Sequence, residues 1–251
     1  MGSSGSLPGI SLTDKSLDFA QRTQPRFSYI VASTERSGSN LLCTELWQTG
    51  FLGAPVEYFN FNTIMIQMIV RLNAQSLNDY VRRLVEVRTS PNGVFAFKAH
   101  WEQFQFVLLS KLINQFPVPR WIFIDRSDII AQTISYAKAI QTQQWHTLAE
   151  RRAAPQYSFE QIFWCYSELI NSKKNWRSFF ESMKITPMIV FYEEFIKDPG
   201  AKITEIGRWL DFPTEPRANV AVPKIARQGD QTNLEWAEKF KKEAAQHGYA
   251  L

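Results

Sequence analysis

Four short segments of this chain are apolar almost throughout, and helical periodicity follows each of them. They are Phe27–Ser33 (FSYIVAS), Val94–His100 (VFAFKAH), Arg120–Asp125 (RWIFID) and Pro187–Tyr192 (PMIVFY). A strand with one wet face alternates apolar and polar residues, whereas a strand apolar on both faces has to be covered on both. Parallel strands also need long crossovers, and the intervening stretches are long enough to supply helices. The pattern therefore predicts a three-layer α/β/α domain around a central, mainly parallel sheet. With 251 residues, 45% of them hydrophobic, one domain over 26–251 has ample material for a core. Residues 1–25, beginning MGSSGS, read as a flexible N-terminal segment or appended tail outside that domain.

The first segment feeds a distinctive turn. Thr34-Glu35-Arg36-Ser37-Gly38-Ser39-Asn40 packs hydroxyls, a glycine and an arginine into seven residues before Leu41, Leu42, Leu46 and Trp47 take up helical spacing. A strand entering a helix through such a turn aims backbone N–H groups and the positive end of the helix dipole at one point, which suits a phosphate or sulfate. Measured against the ATP/GTP loop G-x-x-x-x-G-K-[ST], Gly38 matches. Ser33 stands in place of the first glycine, Ser39 in place of the lysine and Asn40 in place of the metal-binding hydroxyl. The loop shape is kept while the γ-phosphate and Mg²⁺ functions are not. A serine-capped turn is the plain alternative.

Further helices are predicted over 77–88, 101–116, 158–184, 198–210 and 233–247, with another capped by Ser127 and running to about Trp145. His146–Tyr157 reads as a polar loop, and Pro213, Pro216 and Pro223 as an irregular segment. In parallel sheets, ligands sit beyond the carboxyl ends of the strands. Arg36, Lys98, His100, Arg126 and Tyr192 all fall at such ends, so they are expected to share one rim. That convergence favours an anion site over a simple cap.

Net charge is +4 and no run of Lys or Arg exceeds two residues, which fits a small polyanion and not nucleic acid. No run of 18 apolar residues offers a transmembrane span. Cys43 and Cys165 form no C-x-x-C pair and read as reduced thiols of a cytoplasmic protein. No His, Cys or Asp cluster has metal-ligand spacing, so no metal is expected.

Taken together, Thr34-x-Arg36-Ser37-Gly38-Ser39, Arg126-Ser127-Asp128, Tyr192-Glu193-Glu194-Phe195 with Asp198-Pro199, and Arg227-Gln228-Gly229 resemble sulfotransferases that use 3′-phosphoadenosine 5′-phosphosulfate (PAPS). Pro55-Val56-Glu57-Tyr58-Phe59, Pro91-Asn92-Gly93-Val94 and Arg227-Gln228-Gly229-Asp230-Gln231 resemble the bacterial trehalose 2-sulfotransferase group in particular. The resemblance implies that Arg36, Ser37, Gly38, Ser39 and Asn40 hold the 5′-phosphosulfate. It implies that Arg126, helped by Ser135 or Ser127, and by Arg227 and Gly229, holds the 3′-phosphate, with Tyr192 near the adenine. Glu57 is the implied general base, its carboxyl raised toward neutrality by apolar and aromatic neighbours. Phe97-Lys98-Ala99-His100 also resembles the Lys-x-His of the animal cytosolic enzymes, which makes His100 the second candidate. Tyr58, Phe59, Lys98 and Trp101 are candidate acceptor contacts, although packing explains the aromatic ones equally well. The implied acceptor is a carbohydrate or glycolipid hydroxyl, the implied product adenosine 3′,5′-bisphosphate, and the implied assembly a homodimer. A kinase-type phosphoryl transferase and a non-catalytic nucleotide-binding module are the rival readings.

Overall fold

The computed structural model describes residues 6–7, 10–145, 154–212 and 231–251. Strands β3 (Phe27–Ser33), β4 (Val94–Ala99), β5 (Arg120–Asp125) and β6 (Met188–Phe191) form one sheet in the order β4-β3-β5-β6, and every pairing is parallel. The expected α/β architecture with a parallel sheet flanked by helices is thus what the chain adopts. Two dipeptide strands, β1 (Ser6–Leu7) and β2 (Ile10–Ser11), pair antiparallel ahead of it.

The period of two along the strands sends alternate side chains to opposite faces. Ile30, Ala32, Phe95, Phe97, Trp121 and Phe123 pack on one side with α2 (Ile64–Leu72), α3 (Leu77–Arg88), α4 (Trp101–Leu109) and α6 (Phe159–Ser182). Tyr29, Val31, Val94, Ala96, Ile122, Ile124 and Val190 pack on the other with α1 (Ser39–Gln48), the single turn α7 (Tyr192–Phe195) and α8 (Pro199–Trp209). A third cluster joins α5 (Ile129–Thr142), α6 and α9 (Gln231–Gln246) through Ile134, Ile162, Trp236 and Phe240.

Four local readings are corrected. Residues 64–72 form a helix that the sequence reading left unassigned, although their apolar residues recur at helical spacing. The helix expected over 101–116 stops at Leu109, because Lys111 turns into the left-handed region (φ 56°) and a 3₁₀ turn follows over Leu112–Gln115. Asp128, not Ser127, caps α5, its carboxylate accepting from the Ala131 N–H at 2.8 Å. Part of the segment assigned to a tail is packed: Leu12 and Leu17 are buried, and Asp18 pairs with Arg71 at 2.8 Å and with the fully buried Arg88 at 3.0 Å. Arg88 also donates to the Asp14 carbonyl at 3.0 Å, so this stretch straps α2 and α3.

Candidate active site

The carboxyl ends of β3, β4, β5 and β6 lead directly into Thr34–Gly38, His100, Arg126 and Tyr192, so the topology alone collects these residues along one edge. The turn after β3 is held from beneath. The Ser33 carbonyl accepts from the indole N–H of the buried Trp176 at 3.0 Å and lies 3.3 Å from His100 Nδ1. Gln132 of α5 donates to Thr34 Oγ1 at 2.8 Å and to the Glu35 carbonyl at 2.6 Å. Gly38 occupies the position before α1 at φ 86°, and no side chain caps that helix. The first-turn N–H groups of α1 are therefore left for a ligand. Ser37 is fully buried, and its hydroxyl has no hydrogen-bond partner among the described residues. A buried hydroxyl without a partner beside a helix start with no side-chain cap has the chemistry to hold an anion.

Gly38 is also a steric requirement. A Cβ built there would lie 2.3 Å from Tyr192 Cδ2, so the tyrosine ring rests directly on the loop backbone. The Arg126 guanidinium stacks over the same ring, 5.0 Å from its centroid. Arg36 reaches across to α5 and the residues after it. Its Nε donates to Ser135 Oγ at 2.9 Å, and its Nη1 donates to the Trp145 carbonyl. Burial, with the nearby Arg126 charge, brings its pKa down to about 10, so it remains cationic at neutral pH.

The cation that faces the start of α1 is Lys98. Its Nζ reaches the Asn40 side-chain oxygen and lies 3.4 Å from Ser39 Oγ, while pairing with Glu57 Oε1 at 2.5 Å. Glu57 Oε2 accepts from Asn60 and from Gln103, each at 3.0 Å, and His100 Nε2 stands 3.7 Å from Oε1. His100 Nδ1 is 3.1 Å from Ser33 Oγ. Burial pushes the Glu57 carboxyl up, but the Lys98 charge, the His100 side chain and the hydrogen bonds from Lys98 and Gln103 outweigh it. The net direction is well below the usual carboxylate range. This corrects the expectation of a base raised toward neutrality: its apolar neighbours are present, yet a buried ammonium lies nearer.

The remaining candidates divide clearly. Tyr58 and Phe59 are fully buried; the Tyr58 hydroxyl donates to the Ala54 carbonyl at 2.5 Å, and Phe59 packs edge-on against Phe97 at 5.0 Å. Both are packed into the core. Trp101 belongs to an aromatic cluster, 5.2 Å edge-on from Trp176 and 6.1 Å from Phe104. Arg227 and Gly229 lie outside the described residues. Among the described residues no group of three or more His, Cys, Asp or Glu has the disposition to hold a metal ion, and no helix is long and apolar enough to cross a membrane. Sequence reasoning missed Asn60, Gln103, Gln132 and Trp176. Gln103 carried a usable signal, because its side chain accepts from the His100 N–H at 3.1 Å in the spacing of a helix capping box. Trp176 carried none, since its role depends on packing from a distant helix.

The Stf0 sulphotransferase family profile matches residues 28–243. Trehalose 2-sulfotransferase of Mycobacterium tuberculosis is 26% identical over 262 residues, covering 88% of this chain and 96% of that protein. The trehalose 2-sulfotransferase of Mycolicibacterium smegmatis is 27% identical over 270 residues, covering 89% and 98%. Among solved structures, the sulfotransferase domain of the Synechococcus PCC 7002 olefin synthase aligns with a TM-score of 0.49 at 14% identity, over 92% of this chain and 98% of that one.

Proposed function

The chain belongs to the Stf0 sulphotransferase family, and from that membership we propose that it transfers a sulfuryl group from PAPS to a hydroxyl of a small carbohydrate or glycolipid. The acceptor class rests on the two relatives that are trehalose 2-sulfotransferases. The observation that carries the chemistry is the position of Lys98, whose one ammonium joins the carboxylate of Glu57 to the first residues of the anion loop. PAPS supplies the sulfuryl group. The buried Ser37 hydroxyl, the first-turn N–H groups of α1 and the space kept by Gly38 suit its phosphosulfate, and Arg126 suits its 3′-phosphate.

Glu57 accepts the acceptor's hydroxyl proton while that oxygen bonds to sulfur and the sulfur–oxygen bond to the 5′-phosphate breaks. Lys98 and the loop N–H groups offset the negative charge that gathers on the leaving phosphate. In the free protein Lys98 also restrains Glu57. As the ammonium turns toward a bound phosphosulfate, its hold on the carboxylate weakens and burial raises the basicity of Glu57. His100 remains the alternative proton acceptor, held in orientation by Ser33.

Calorimetry with adenosine 3′,5′-bisphosphate, ATP and AMP tests the donor. Because Lys98 supplies an ammonium where the ATP loop would carry its own lysine, ATP is the informative competitor. The bisphosphate is expected to bind most tightly, and equal or tighter binding of ATP overturns the reading. Turnover of labelled PAPS with a panel of sugars then tests the reaction. In that assay Glu57→Gln is expected to lower kcat by about 10²-fold or more. Near-normal turnover in that variant, with His100→Ala inactive, transfers the base role to His100.

A further inference from the structure

Glu193 follows Tyr192 at the end of β6, and no acceptor or donor contact has been assigned to it. Its carboxylate lies at the entry of α5, where Oε2 accepts from the Ser127 N–H at 3.1 Å and Oε1 from the Asp128 N–H at 3.4 Å. Oε1 is also 3.5 Å from Arg126 Nε. Burial raises this carboxyl, but the backbone N–H groups it accepts from bring it down overall, so it is an anion at neutral pH.

We propose that Glu193 is a positioning residue that sets Arg126 for the 3′-phosphate of the bound nucleotide. It rests on the PAPS reading given above. Two sets of contacts fix Arg126. Its backbone is held on the far side of the strand end, where its N–H donates to Asp125 Oδ1 at 2.7 Å and its carbonyl accepts from Lys173 Nζ at 2.8 Å. Lys173 in turn pairs with Asp125 at 2.6 Å. Its side chain is bounded by the Tyr192 ring on one face and by Glu193 at Nε. A guanidinium stacked on a ring and opposed by a carboxylate at Nε has lost most of its rotamer freedom before a ligand arrives. Glu193 also occupies the N–H groups of Ser127 and Asp128 just ahead of α5, whose first turn is capped by the Asp128 carboxylate. The start of α1, uncapped by any side chain, is left to the ligand. One helix start is thereby reserved for the 5′ group, while the 3′ group is directed to Arg126.

The test uses the full chain and measures binding of adenosine 3′,5′-bisphosphate and of AMP by calorimetry for wild type, Glu193→Gln and Glu193→Asp, with thermal melts alongside. Glu193→Gln is expected to weaken the bisphosphate about tenfold and AMP less than twofold, with Glu193→Asp in between. In an Arg126→Ala background the effect of Glu193→Gln is expected to vanish. A parallel loss for both ligands, or an unchanged effect without Arg126, makes Glu193 merely structural and overturns the inference. Tighter bisphosphate binding in Glu193→Gln overturns it too, since the carboxylate then competes with the phosphate. Absence of any wild-type preference for bisphosphate over AMP brings down the PAPS reading and this inference with it.

Discussion

Lys98 is the residue on which the proposed chemistry turns, because it touches both Glu57, the proposed base, and the loop. The sign of its effect can be worked out. The folded pKa of Glu57 lies below its unfolded value of about 4.3, so the stability from its ion pair is complete above that pH. It is lost only as pH falls toward the folded value. Melting temperature should therefore not vary with pH between about 5.5 and 8 on account of Glu57, and no acidic limb of kcat/KM in that range should belong to it. Lys98→Met removes the main counterweight to burial. The expected outcome is an acidic limb that moves upward in pH, read from kcat/KM profiles of variant and wild type; an unmoved limb separates Lys98 from the ionisation of Glu57. Arg36 and Lys98 show why side-chain roles were only partly legible. The loop residues and strand-end cations could be listed from the sequence, but which cation faces the helix start depends on strand register. Lys98 pairs across the sheet with Val31, two residues before the strand ends, and this brings Nζ back toward Ser39 and Asn40. Arg36, though inside the loop, has a left-handed backbone (φ 58°) and reaches away to Ser135.

At the level of elements, α6 acts as a beam under the site. Trp176 fixes the end of β3 through the Ser33 carbonyl, and Lys173 fixes the end of β5 through Asp125 and the Arg126 carbonyl. Trp176→Phe keeps most of the aromatic packing and removes the N–H. It is expected to cost about 1–2 kcal/mol for the lost hydrogen bond to a buried carbonyl, measured by denaturant unfolding, with a larger loss in turnover than in bisphosphate affinity, because His100 shares that carbonyl. The strands and long helices were readable from the sequence because apolar runs and 3.6-residue periodicity are local signals. α2 was missed because Ile64–Leu72 is short, lacks a capping side chain and follows an irregular approach. The beam itself was invisible: nothing near Trp176 in sequence distinguishes an indole that holds a strand end from one that only packs.

For the whole molecule, the strap formed by residues 11–18 ties the N-terminal segment to the helices that follow the Glu57 segment. Asp18 pairs with both Arg71 and the fully buried Arg88. Removing one partner of a buried pair leaves an uncompensated charge, a cost of about 3 kcal/mol. Asp18→Asn is accordingly expected to lower the melting temperature by several degrees in a chain of this size, and removal of residues 1–19 by at least as much. Unchanged melting in the truncated chain would show that the strap contributes nothing to the domain. The reading of this segment as a tail followed from its small polar opening residues. The contacts that contradict it link Asp18 to residues more than fifty positions away, which no local pattern reports.

The contact between Gly38 and Tyr192 makes two distant positions a single inheritable unit. A methyl at 38 has no room while the ring is at 192, and the backbone conformation at 38 disfavours any side chain as well. In a library randomised at both positions and selected for turnover, survivors carrying any residue but glycine at 38 should be nearly absent. The few that persist should have lost the ring at 192. Drift at position 38 therefore waits on loss of the ring at 192, because a lone substitution at 38 meets a gap narrower than one methyl group.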